Sequence, residues 1–240
     1  MTTANTANIA RTTSTRRAAR ILAGVTAFVA ASAISLGTPA NAQPAAGAGG
    51  GGGAAGLAGQ GMNIDLATVL KAKPGAWADY TMSGKGEAKP VTIRYALIER
   101  SASKFALEID SATPKGEMVI HFDFVAQGTD GSAWKVVSGK MQLGEQKMDL
   151  PAAQLASSPP LKTSDSPGQL VGSEDLTTPV GPFACKHYKK AMLEGGKGPS
   201  LDVWINDKVS PTGLVKSTLD AMGVQMTLLA TGSGAQSKLH

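Results

Sequence analysis

Between Val91 and Phe124 the chain alternates apolar and polar residues with a period of two, three times in succession, across connections short enough for hairpins only. Val91, Ile93, Tyr95 and Leu97 alternate with Thr92, Arg94 and Arg100; Phe105, Leu107 and Ile109 oppose Lys104, Glu108 and Asp110; Met118, Ile120, Phe122 and Phe124 oppose Glu117, His121 and Asp123. Successive side chains on a strand point to opposite faces, so each segment has one dry and one wet face. Ser101-Ala102-Ser103 joins the first two segments and Ala112 to Gly116 the next two. A parallel crossover needs about a dozen residues or more, which leaves antiparallel pairing. The fold must therefore cover the dry face of an antiparallel sheet.

The meander is expected to continue through Trp134 to Leu143 and Gln146 to Leu150, with Gly144-Glu145 as a tight turn. An irregular stretch from Pro151 to Pro167 follows, with at most one helical turn near Ala152 to Leu155. Strands resume over Leu170 to Thr177, Phe183 to Leu193, Leu201 to Asn206, Leu214 to Leu219 and Val224 to Thr231, punctuated by Gly195-Gly196, Ser210-Pro211 and Met222-Gly223. Ahead of them, Asn63 or Asp65 can cap a short helix over Leu66 to Lys71 that stops at Pro74-Gly75. The reading is mainly β: a curved antiparallel sheet, or half-barrel, of roughly ten strands with one or two short helices.

The first 42 residues have a different character. Arg11, Arg16, Arg17 and Arg20 precede an uncharged apolar run from Ile21 to Leu36, and Ala40 and Ala42 stand three and one residues before Gln43. That is the build of a cleaved secretory signal, and the apolar run is shorter than the roughly 20 residues a membrane-spanning helix needs. The Arg16-Arg17 pair is followed by Ala18, Ala19 and Arg20 rather than by apolar residues, which favours ordinary unfolded export over the twin-arginine route. Residues 43–61 are Gly/Ala-rich and uncharged, a disordered tether, and residues 62–240 form a single β-rich domain. The protein is expected to be exported, to the periplasm or outside the cell, with no transmembrane segment after cleavage.

Four of the 23 basic residues lie in the signal and all 18 acidic residues lie beyond it, so the exported chain carries a net charge of only +1. This gives no footing for nucleic acid. Lys186-His187-Tyr188-Lys189-Lys190 is read as the solvated part of a strand. With Cys185 as the sole cysteine, the domain has no internal disulfide, and the thiol is read as a half-buried apolar group.

Three solutions cover the dry face: a sandwich, a closed barrel, or a cupped sheet whose hollow takes a helix and an apolar ligand. The segments Val171-Gly172-Ser173-Glu174, Thr178 to Tyr188 and Leu201 to Lys216 bear on the choice. This arrangement resembles uncharacterised exported bacterial proteins whose sheet is similar to the periplasmic lipoprotein carrier (LolA/LolB-like) half-barrels. The resemblance covers about residues 75–232, with its specific motifs in 171–216. It implies an antiparallel sheet around a central apolar cavity that binds acyl chains or hydrophobic groups. The candidate ligand wall is Ile93, Tyr95, Leu97, Phe105, Leu107, Ile120, Phe122, Phe124, Met226 and Leu228. The alternative is a non-enzymatic envelope or interaction module whose core is filled, with an envelope protein rather than a lipid as partner.

No metal site or cofactor is expected: His121, His187 and His240 form no paired ligand spacing, and His121 is read as a solvated residue on a polar face. Cys185 and His187 point the same way along one strand, but alternation alone produces such pairs, and no Gly-x-Ser-x-Gly elbow or phosphate-binding glycine loop is present. No catalytic residue is assigned. Trp204 shares its parity with Asp202 and Asn206, which places it on the outer face of the sheet.

Overall fold

The computed structural model describes residues 64–85, 89–113, 116–128, 130–191 and 198–239; the signal and the tether lie outside the described residues. The architecture is mainly β, one open antiparallel sheet. The meander β1 (Trp77–Ser83), β2 (Val91–Arg100), β3 (Lys104–Thr113), β4 (Gly116–Gln127), β5 (Ala133–Leu143) and β6 (Gln146–Asp149) fills one half. After a short helix and the two-residue β7 (Leu161–Lys162), which pairs with β5, the second half contains β8 (Gln169–Thr178), β9 (Gly181–Ala191), β10 (Ser200–Ile205), β11 (Leu214–Leu219) and β12 (Val224–Gly232). The strand order is β6-β5-β4-β3-β2-β1-β12-β11-β10-β9-β8, so the halves meet along a seam where β1 pairs antiparallel with β12, from Trp77 opposite Gly232 to Ser83 opposite Gln225. Two strands go beyond the ten expected: β1, whose alternation begins where the period changes to two, and β7, too short to carry a pattern.

Helix α1 (Leu66–Lys71) starts at Asp65, whose carboxylate accepts from the Ala67 N–H at 3.3 Å and from the Thr68 hydroxyl at 2.6 Å. The Asp65 N–H in turn donates to the Thr212 carbonyl at 2.8 Å, which fastens the helix to the loop ahead of β11. Gly213 is where these elements touch. Its φ is +75°, and a Cβ there would stand 3.0 Å from the Thr68 Oγ1 and 3.1 Å from the Asp65 Cβ. Glycine is needed both for the bend and for the close approach. Helix α2 (Ala152–Ala156) places Leu155 over β5.

The dry face gathers one continuous core. Tyr80, Ile93, Leu97, Leu107, Phe122, Phe124, Leu214 and Leu228 are fully enclosed, and Leu66 and Val69 of α1 join them. Two helices of six and five residues cover only part of so wide a sheet, and buried side chains from both of its halves join in the one core. Tyr80 marks the join. Its hydroxyl donates to the Leu214 carbonyl at 2.8 Å and lies 2.5 Å from the Thr212 hydroxyl, which itself accepts from the Leu214 N–H at 3.2 Å.

Candidate functional site

Of the ten wall candidates, every one points into this core and none is more than 7% exposed. Their packing is specific. Phe105 stacks on Phe124 at 4.4 Å between ring centroids and 12° between planes, Trp134 tilts against Phe105 at 5.0 Å, and Phe122 tilts against Phe124 at 6.4 Å. Gly139 on β5 gives Phe122 its room: a Cβ there would meet the Leu150 Cδ1 at 2.8 Å and the Phe122 Cδ1 at 3.3 Å. Met226 and Leu228 close the same core from the seam strand β12, Leu228 directly opposite Tyr80.

Polar chemistry collects on the other face of β1–β5, where the sequence reading placed a solvated histidine. His121 is half-buried and paired rather than freely solvated. Register puts it opposite Glu108 on β3 and Lys140 on β5. Its Nδ1 lies 3.4 Å from the Glu108 carboxylate and its Nε2 3.2 Å from that of Asp123, and the Ser138 hydroxyl bonds the second Asp123 oxygen. Two carboxylates facing both ring nitrogens favour the imidazolium, which donates from each. The hydrogen bond that His121 donates to Glu108 is the main cause of its raised pKa; burial opposes it and Asp123 adds to it. Glu108 is 3% exposed. Burial pushes its carboxyl up, but hydrogen bonds from His121, the Lys238 N–H and the Ser237 hydroxyl together hold it below its ordinary range.

Two of those donors come from the C-terminal segment. After β12 the chain crosses the outer face: Trp77 Nε1 donates to the Ser233 carbonyl at 3.3 Å and the Ala235 N–H to the Gly75 carbonyl at 2.9 Å. Ser237 Oγ and the Lys238 N–H then reach the two oxygens of Glu108 at 2.8 and 3.0 Å, and the Lys238 ammonium pairs with Asp110 and Glu117. Trp77 can lie over β12 because Gly232 has no side chain, since a Cβ there would meet the indole at 2.4 Å. Arg94 covers the indole at 4.4 Å and holds Asp79 through two bonds of 2.7 and 2.8 Å. A cavity of about 210 Å³ remains between Gly234–Lys238 and the floor of Arg94, Ala96, Glu108 and Asp110.

A second outer-face cluster surrounds Trp204, as parity predicted. His187 stacks on the indole at 4.3 Å and bonds Asp202 through Nε2 at 2.7 Å; Lys216 lies 4.9 Å over the ring; the indole N–H donates to Glu174 at 2.7 Å. His187 is thus engaged, while Lys186, Lys189 and Lys190 around it are exposed as expected. Cys185 is fully buried rather than half-buried. Its thiol donates to the Phe183 carbonyl at 3.5 Å, and burial, assisted by Glu174 and Asp175, pushes its pKa up to about 11. Among the described residues no group of three or more His, Cys, Asp or Glu could hold a metal ion, and no helix is long and apolar enough to cross a membrane.

No family model matches the chain, and no curated protein matches it. Among solved structures it is similar to a hypothetical protein from Chlamydia trachomatis at 11% identity, over 73% of this chain and 95% of that one, with a TM-score of 0.42. It is also similar to a protein from Bacteroides fragilis described as exported, with a YmcC-like fold, at 13% identity over 68% and 97% of the two chains and a TM-score of 0.36. A third, from Parabacteroides distasonis and described as a lipoprotein, matches at 12% identity over 67% and 96%, with a TM-score of 0.35. None of the three names refers to the lipoprotein carriers. At these scores the likenesses carry no argument about function.

Proposed function

We propose that this chain is an exported, non-enzymatic interaction module of the cell envelope rather than a carrier of apolar cargo. The observation that supports it is the interlocked burial of all ten wall candidates. A carrier's hollow has to stay open to solvent or ligand, whereas these side chains spend their apolar surface on one another. The outer face supplies what a module needs: fixed charges, an aromatic platform at Trp77 and a segment laid across them. Cys185 and His187, the one pair with the elements of a nucleophile and base, are each tied to other partners, Phe183 and Asp202. Export rests on the build of residues 1–42.

Protein purified under native conditions decides between the two readings. An organic extract analysed by mass spectrometry should contain no stoichiometric long-chain lipid, and a fluorescent fatty-acid probe should not bind saturably. Phe122→Asp should unfold the domain, because a carboxylate in that position has no partner and its desolvation costs several kcal/mol. A folded Phe122→Asp protein that has lost a lipid carried by the native chain would restore the carrier reading.

A further inference from the structure

We propose that the outer face of β2–β4 is a docking surface for an extended peptide, that the chain's own segment Ser233 to Leu239 occupies it in an autoinhibited state, and that the occupant in trans is a segment of an envelope protein with the Ser-Lys pattern of Ser237-Lys238. This rests on the interaction-module reading and names the surface through which the module acts.

The contacts are those by which a surface reads a peptide. One main-chain donor, the Lys238 N–H, meets Glu108; one small hydroxyl, from Ser237, meets the same carboxylate; one ammonium sits between Asp110 and Glu117. Backbone recognition fixes the segment, and the side chains select it. The charges are complementary. Among the described residues the outer face of these strands carries the carboxylates of Asp79, Glu108, Asp110, Glu117 and Asp123, and two of the cations beside them, Arg94 and His121, are already committed to Asp79, Glu108 and Asp123. Glu108 ties the surface to its occupant: with Ser237 and Lys238 in place this carboxylate is 3% exposed, and of the three residues that donate to it only His121 belongs to the sheet.

The resident segment is held by polar contacts. None of the side chains from Ser233 to Leu239 is buried, and a cavity of about 210 Å³, lined by Gly234, Ala235, Gln236 and Lys238 as well as by the sheet, remains beside those contacts. A segment that stabilised the fold by packing would fill that space with apolar groups. A tethered occupant competes through its effective concentration, so a free peptide gains the surface once the resident segment is weakened or removed.

The test uses a nine-residue peptide of residues 232–240, fluorescently labelled at its N-terminus, and anisotropy. The whole chain carrying Lys238→Glu, folded by circular dichroism, should bind the peptide saturably, at least tenfold more tightly than the unaltered chain does. A chain ending at Ser233 should do the same. A peptide carrying Lys238→Glu should bind neither, and adding Glu108→Gln to the protein should abolish binding. In the unaltered chain the Lys238 amide should exchange with deuterium far faster than amides of β3. The proposal is overturned if neither variant binds the peptide, if both variants fail to fold, or if the Lys238 amide exchanges as slowly as the core. Dimers of the unaltered chain that disappear on truncation would overturn the trans partner and make a second copy the occupant. A lipid in the native extract would refute the module reading without altering any of these measurements.

Discussion

Phe124→Ala is the most direct measure of whether the dry face is filled. Phe124 is wholly enclosed, stacks at 4.4 Å on Phe105 and touches Phe122, so its ring sits in the middle of the aromatic row that Trp134 ends. Truncating a buried phenylalanine costs about 3–5 kcal/mol, the lost transfer energy plus the cavity that a stiff surround cannot close. The stacked geometry accounts for about 0.5–1.5 kcal/mol of it. Against a total stability of about 5–15 kcal/mol, that is about a fifth of the margin or more. For a domain of this size the melting temperature should fall by roughly 6–20 °C, at about 2–4 °C per kcal/mol. Urea unfolding followed by tryptophan fluorescence and far-UV circular dichroism should show a lower midpoint with an unchanged slope, the mark of a stability change without a new denatured state. A ring that lined an open cavity would lose little on truncation. A measured cost under about 1 kcal/mol with the fold retained would refute the filled core.

Tyr80→Phe should cost about 1–3 kcal/mol, since it strands the Leu214 carbonyl and the Thr212 hydroxyl in the interior; a change within error of zero in a urea titration would show that the seam is not held there. His121→Gln should destabilise most at mildly acidic pH. Glu108, held low, contributes above its ordinary range and loses that contribution as pH falls through its lowered value; His121, held high, contributes below about 6.5 and loses it as pH rises through its raised value. The stability gap between the two proteins should therefore peak near pH 5–6 and shrink towards both extremes, and a gap that grew steadily up to pH 9 would contradict the pairing. Cys185 should react with a maleimide at pH 8 at least about 100-fold more slowly in the native protein than in urea, because it is buried and little of it is thiolate; stoichiometric labelling of native protein within minutes would place the thiol at the surface.

The strands were legible because their alternation is nearly unbroken, and the wall candidates were legible for the same reason: parity assigns a face without knowledge of what lies opposite. The cap of α1, narrowed to Asn63 or Asp65, and Trp204 on the outer face followed from equally local signals. β1 was the exception among long strands, because Trp77, Asp79 and Thr81 face outward while Ala78 faces in, so hydrophobicity does not mark its dry side. What parity cannot supply is occupancy. Whether that face meets a ligand or the rest of the chain is decided by long-range contacts, such as that of Tyr80 with Leu214, which no short window contains. The Glu108–His121 pair was within reach, since a tight β3–β4 hairpin sets them opposite each other once the register is written out. The contribution of Ser237 and Lys238 was not, because that segment has no periodicity and its partners lie about 130 residues earlier.

The seam between β1 and β12 also dictates an order of events. The hairpins of the first half can close as soon as each emerges from a ribosome or a translocation pore, and so can those of the second. β1, however, has one neighbour missing until the last strand arrives, since Trp77 meets Ala96 of β2 on one side but Gly232 of β12 on the other. Such long-range closure is slow, because a large loop entropy must be lost before the contacts that offset it form. Until then the strand at the centre of the finished sheet is a raw edge, and a chain stalled or cut short of Val224 presents that edge to its neighbours as a template for aggregation.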